Sequence, residues 1–245
     1  MRPRMVRRLA VEIGTLSLTV LAALVIRTWL VGIYVIPSES MVPRLLPGDY
    51  LLVEKWSFRW QHRLPARGDV VVFDAPPSGR GAYVKRVIGL PGDTVALRGG
   101  VPIINGVRVP RWRIADALVP ESAGIACDDP EQEPATPPAC RFHRFREMLP
   151  GGTVVDVLDA GATVADRFGP RTVPPGALFL LGDNRDLSAD SRFPAEEGRG
   201  IGMVPIANMI GGAGTILFSV DGSARLRQPR TWVASIRRDR IGARF

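Results

Sequence analysis

Apolar residues are laid out along this chain in two different ways. Residues 9–31 form one long apolar stretch, interrupted by Glu12 near its start and Arg27 near its end. From residue 49 onward the apolar positions come in short β-rich runs between Gly, Pro and Asn, at 50–54, 69–73, 82–88, 94–97 and 177–181. Short runs of Val, Ile, Leu and aromatic residues bounded by turn formers read as strands. Segment 103–109 sets Asn105-Gly106 between β-formers, the strongest short-range hairpin signal. No sustained helical repeat stands out after the apolar stretch. Residues 115–170 are less regular, with more Pro and acid, and a smaller lobe is expected inserted over about 94–172. The predicted fold class is therefore mostly β: an antiparallel β-sheet domain with a smaller inserted β lobe, preceded by one N-terminal transmembrane helix.

Charge sharpens the reading of the apolar stretch. Its uncharged part, 13–26, would cover only about 21 Å as a helix, whereas a bilayer core takes about 20 residues. Glu12 can pair with Arg8 one turn back, and Arg27 can snorkel outward beside Trp29, so 9–31 spans. Arg2, Arg4, Arg7 and Arg8 precede it, which puts residues 1–8 in the cytoplasm and residues 32–245 outside. The alternatives are a cleavable signal peptide and a buried core helix. The first lacks a small-x-small site before Tyr34-Val35-Ile36-Pro37, and the Arg cluster argues against the second.

The chain has 245 residues, 46% hydrophobic and 23% charged, which excludes a disordered tail and a multi-span membrane protein. Its net charge of +8 is carried by the ends: +3 over residues 1–12 and +6 over the basic tail 225–245, leaving −1 for the body. A nucleic-acid-binding domain would carry its basic footprint on the folded body, so nucleic acid is not an expected partner and a lipid bilayer is. The tail, with Trp232, either rests on anionic lipid or is solvated. Of the 32 basic residues only Lys55 and Lys85 are lysines. Cys127 and Cys140 bracket an acidic, Pro-rich loop. A disulfide closing it outside the cytoplasm would be worth about 3 kcal/mol in the chain-entropy view, and two free thiols are the alternative.

Three segments carry candidate chemistry. PSESMVP (37–43) traps Ser38 and Ser40 between prolines on a stiff loop just beyond the apolar stretch. YVKRVIGLPGD (83–93) puts Lys85 and Arg86 on opposite faces of a strand, so one of the two faces the core. An inward lysine can lose its charge by desolvation, which arginine cannot. GDNRDLSADSR (182–192) is a dense polar loop after an apolar strand. Calcium is its obvious rival use, but Arg185 occupies a ligand slot and no central Gly follows. Taken singly, each segment is equally a solvated turn, an edge-strand lysine or a surface salt-bridge loop.

Together, and in this order behind an apolar N-terminal segment, they resemble the bacterial type I signal peptidase (leader peptidase) family of serine/lysine proteases. GDYLLVEK (48–55), RGDVVVF (67–73) and VPPGALFLLGDNRDLSADSR (173–192) extend the match from about residue 27 to 225. The resemblance implies Ser40 as nucleophile, Lys85 as general base, and Ser38 with the Ser40 backbone N–H as oxyanion hole. It implies that Ser188 hydrogen-bonds and orients Lys85, that Asp190 pairs with Arg192, and that Asp183 joins that same supporting network. Pro37, Ser38, Tyr83 and Val84 would line the substrate strand. Neither metal nor cofactor is implied. The implied partners are signal peptides of exported preproteins, the bilayer and the secretion machinery. The implied location is the inner (cell) membrane, single-pass, with the catalytic domain on the periplasmic side. Arg44 and Leu187 stand where the family usually has Thr and Asn. Two rival readings are a self-cleaving Ser/Lys repressor, which would need a DNA-binding N-terminus, and a non-catalytic membrane-anchored assembly protein retaining the fold.

Overall fold

A computed structural model describes residues 3–59, 63–79, 81–120, 139–225 and 228–245. The N-terminal apolar stretch is helical. Helix α1 (Pro3–Val25) passes into one π-helical turn, Ile26–Leu30, and straight on into strand β1 (Val31–Val35). Within it Val11–Leu30 has a mean hydropathy of 1.7 and no buried residue, so it is long and apolar enough to cross a membrane. Its apolar side chains are spread around the helix and touch no core.

The chain then lays down β2 (Asp49–Glu54), the single turn α2 (Trp56–Arg59), β3 (Val70–Asp74) and β4 (Ala82–Gly89). Next come β5 (Thr94–Arg98), β6 (Val101–Ile104), β7 (Val107–Arg108), β8 (Arg111–Arg113), β9 (Ala117–Pro120), β10 (Ala139–Phe142), β11 (Arg144–Met148), β12 (Val154–Leu158) and β13 (Arg167–Thr172). Strands β14 (Ala177–Leu181), β15 (Val204–Pro205) and β16 (Met209–Ser219) follow, and then the short helix α3 (Pro229–Ala234). The main sheet has seven strands in the order β1-β2-β16-β3-β4-β14-β15, every neighbour antiparallel. Strands β5 to β13 make three smaller antiparallel sheets, β13-β5-β6-β7, β12-β11-β8 and β10-β9. The Asn105-Gly106 hairpin forms between β6 and β7 with both residues at positive φ, 52° and 79°, as its turn requires.

The main sheet is covered on both faces. Val70 and Val72 of β3 pack with Ile36, Met41, Leu45, Leu51 and Val53. Val71 and Phe73, of opposite parity, pack with Val87, Leu178, Leu180 and Val204. Farther along, Ile88, Phe179 and Leu181 share a core with Val95, Leu97, Val101 and Val157, so the inserted sheets are built onto the main sheet rather than beside it. All five residues of β14 are buried. This double cover corrects one expectation: Lys85 and Arg86 do point to opposite faces, yet both are buried, because neither face of β4 meets solvent there.

Candidate active site

Three stretches far apart in sequence meet at the end of the main sheet. The 36–48 connection between β1 and β2 carries Ser38 and Ser40, the middle of β4 carries Lys85, and the loop leaving β14 carries residues 182–192. The connection is stiff. Gly48 N donates to Ile36 O (2.9 Å), Leu45 N to Met41 O (2.9 Å) and Val42 N to Glu39 O (3.0 Å). Met41 and Leu45 anchor it in the core, which fixes Ser40 between them and the cleft.

Lys85 Nζ donates to Ser40 Oγ at 2.7 Å and to Val84 O at 3.2 Å. Both partners of this pair are buried, Ser40 at 7% exposure and Lys85 at 4%. Burial lowers the Lys85 pKa from 10.5 to about 8; Asp190 and Asp183 pull it upward, and Arg192 pulls it down again. Each of those carboxylates is already engaged. Asp183 receives Arg86 Nε and Nη2 at 2.7 and 2.6 Å, while a third Arg86 bond goes to Gly68 O. Asp190 receives Arg192 Nε and Nη2 at 2.8 and 2.9 Å and the Gly182 N–H at 3.1 Å. The guanidinium partners blunt the carboxylates' hold on the ammonium, and desolvation prevails. A lysine in this state can accept a proton near neutral pH.

Ser38 Oγ lies 3.4 Å from Ser40 Oγ. Together with Ile36, Pro37, Met41, Ala82, Tyr83, Val84, Leu187 and Ala189, the two serines and Lys85 line a cleft of about 320 Å³. The sequence expectations for Pro37, Ser38, Tyr83 and Val84 thus fall on one wall-to-wall cavity. The Asp190–Arg192 pair is formed. Asp183 pairs with Arg86, the neighbour of Lys85 on β4. The expected Ser188–Lys85 bond is not made: Ser188 Oγ is buried without a hydrogen-bond partner. Ser188 instead lies against Gly182, where an added Cβ would stand 2.3 Å from its Oγ and 2.5 Å from Ser40 O. Only glycine lets these two chains approach so closely.

Sequence reasoning missed four contributors. Asn184 N donates to Ser40 O at 3.1 Å, tying the third segment to the first. Arg185 reaches Gly100 O and both oxygens of Glu147 on β11, a pair with almost no exposure. Arg86, next to Lys85 on β4, holds the buried Asp183. Its adjacency on β4 was the available signal; for Glu147, inside an irregular segment, there was none. No histidine lines the cleft among the described residues. His143 sits against Arg113 and Asp116 on the inserted sheets, and His62 lies outside the described residues. Cys140 on β10 is fully buried and disulfide-bonded, and Cys127 lies outside the described residues. Among the described residues, Asp159, Asp166 and Asp186 bring carboxylate oxygens within 4.8 Å of one another. Arg111 pairs with Asp159 at 2.7 Å, and desolvation with the two neighbouring acids raises the Asp186 pKa, despite a bond from Ala160 N.

The site thus holds a serine hydroxyl against a buried lysine whose pKa is lowered, with no histidine lining the cleft among the described residues. Residues 9–218 match the family described as signal peptidase, peptidase S26. The chain belongs to the S26 signal peptidase family. It is 30% identical to signal peptidase I of Rickettsia rickettsii (strain Sheila Smith), over 94% of this chain and 91% of that protein. Signal peptidase I of Rickettsia prowazekii (strain Madrid E) matches to the same extent, with 30% identity and the same coverage. The crystal structure of a signal peptidase I from Enterococcus faecalis V583 is 26% identical, with a TM-score of 0.31, and its match covers 61% of this chain and 97% of that one. Membership of S26 makes the protein a serine peptidase, and the mostly antiparallel β architecture expected from the strand pattern is present.

Proposed function

We propose that this S26 peptidase is membrane-anchored and removes N-terminal signal peptides from exported preproteins through a Ser40/Lys85 dyad. The observation that carries the reading is the buried 2.7 Å contact between Lys85 Nζ and Ser40 Oγ in an open, mostly apolar cleft. The preprotein adds as an extended strand between 36–38 and 82–84, with small side chains filling the narrow part of the cleft. Ser40 Oγ attacks the scissile carbonyl as neutral Lys85 takes its proton. The oxyanion meets the Ser40 N–H and Ser38 Oγ. Lys85 then protonates the departing amine, leaving an ester on Ser40, and the mature protein leaves with its new N-terminus. Water attacks the ester, Lys85 takes that proton, and the carboxylate of the signal peptide is released with Ser40 restored. Ser188 accepts the lysine's remaining N–H when Ser40 turns to the substrate.

The helix Val11–Leu30 supports single-pass anchoring, with Arg2, Arg4, Arg7 and Arg8 in the cytoplasm and the catalytic domain on the periplasmic side of the inner membrane. That places the cleft near the membrane surface, where signal peptides end and the secretion machinery delivers them. A disulfide between Cys140 and Cys127 fits the same oxidising side. The test is cleavage of a preprotein in detergent. Ser40→Ala and Lys85→Arg are expected to abolish it, while Lys55→Arg, whose Nζ donates to Arg27 O away from the cleft, cleaves normally. Cleavage at the wild-type rate by Lys85→Arg would refute the neutral-lysine mechanism, because guanidinium does not deprotonate.

A further inference from the structure

The basic C-terminus, expected to be either solvated or lipid-bound, is docked on the main sheet from Ser235 onward. Strand β16 pairs with β3 only as far as Ala213, which leaves its remaining edge open on that side. The C-terminal residues fill that edge: Arg237 N donates to Ser219 O, Gly242 N to Ile216 O and Ile216 N to Ala243 O. Two of the arginines reach past the strand into the nucleophile connection. Arg240 Nε and Nη2 bond both oxygens of the fully buried Asp49, at 3.0 and 2.5 Å, and Nη2 also donates to Arg44 O at 2.9 Å. Arg237 Nη2 donates to Pro47 O at 2.5 Å and Nε to Ser219 Oγ at 2.8 Å. Asp49 also accepts the Leu46 N–H at 2.8 Å and the Ser219 hydroxyl at 2.7 Å. Phe245 packs on the cluster containing Ile36, Met41 and Leu45, the residues that anchor the Ser40 connection in the core.

We propose that Arg240, assisted by Arg237 and Phe245, is a positioning residue for catalysis. The chain's end clamps the 36–48 connection and the start of β2 from behind, so that Ser40 stays within reach of Lys85. The inference rests on the Ser40/Lys85 reading. It explains why a buried aspartate here takes an arginine from some 190 positions away in sequence. A single guanidinium bonds the Asp49 side chain at the start of β2 and a carbonyl of the connection leading into it, which sets the loop's geometry as well as its attachment. Lysine offers one charge but not this fork. None of these groups touches the cleft, so substrate affinity should not depend on them.

The test compares full-length wild type, Ser40→Ala, Arg240→Ala, Arg240→Lys and Phe245→Ala in detergent, following preprotein cleavage, its pH profile and thermal melting. Phe245→Ala leaves no buried charge unpaired, so it remains informative if Arg240→Ala fails to fold. The expected result is a kcat lower by about tenfold or more in Arg240→Ala and by a few-fold in Phe245→Ala. KM and the pH at half-maximal rate stay unchanged, and Arg240→Lys recovers only part of the loss. Wild-type kcat in folded Arg240→Ala and Phe245→Ala, with only the melting temperature lowered, would reduce the clamp to a stabilising role and overturn the proposal. If wild type and Ser40→Ala cleave alike, the dyad reading itself fails, an outcome separable from failure of the clamp.

Discussion

Burying Lys85 beside Ser40, as the proposed mechanism requires, should cost the fold stability, and the cost is measurable. Lys85 has a pKa near 8 in the folded protein and 10.5 when exposed. The unfolded chain therefore binds its proton more tightly, and below pH 8 the folded state carries a buried ammonium at a penalty of about 3 kcal/mol. The penalty is relieved as pH rises from 8 to 10.5, so this group's contribution makes stability climb across that window. Replacing Lys85 with methionine keeps an unbranched chain of similar length and removes the charge. It also removes the bonds to Ser40 Oγ and Val84 O, which offsets about 1 kcal/mol. Lys85→Met should be about 2 kcal/mol more stable than wild type at pH 7, a rise of about 4–8 °C in Tm for a domain of this size. It should also be inactive. The assay is thermal or urea unfolding of both proteins between pH 7 and 9.5, with the advantage of the variant shrinking as pH rises. A variant less stable than wild type at pH 7, with the same pH dependence, would refute the argument that desolvation governs this lysine.

Wild-type kcat/KM should rise about tenfold per pH unit below the Lys85 pKa of about 8 and level off above it, read from initial rates with a peptide substrate. Arg86→Met leaves Asp183 buried and unpaired, which should destabilise by about 3–5 kcal/mol and move the rising limb of that profile above 8. Adding Asp183→Asn removes the stranded charge and should bring the limb back down, so an unmoved limb in both variants would show that the pair does not influence the base. Gly182→Ala forces a Cβ to within 2.3 Å of Ser188 Oγ and 2.5 Å of Ser40 O. A cleavage rate lower by about a hundredfold is expected, since displacement of about an ångström is enough.

Sequence alone was sufficient wherever the physics is local. The apolar run 9–31 could only be a helix seeking an apolar surround, and it forms α1 and its π-helical turn. Alternating and wholly apolar short runs gave strands at nearly the expected places, because Val, Ile and turn-forming Gly and Asn act over a few residues. The flanking prolines marked the segment of Ser38 and Ser40, and the scarcity of lysine marked Lys55 and Lys85, while only the order of the matching segments singled out Ser40 and Lys85. Tertiary structure decided what lies across from what. Whether Lys85 faced solvent or core depended on Val71, its cross-strand partner, and on the covering of both sheet faces. The pairing of Asp183 with Arg86, the lodging of Glu147 under Arg185 and the docking of Arg240 on Asp49 all join residues distant in sequence. A charge in a sequence carries no mark of its partner. It acquires one only when the fold buries it, because burial makes an unpaired charge too costly to keep.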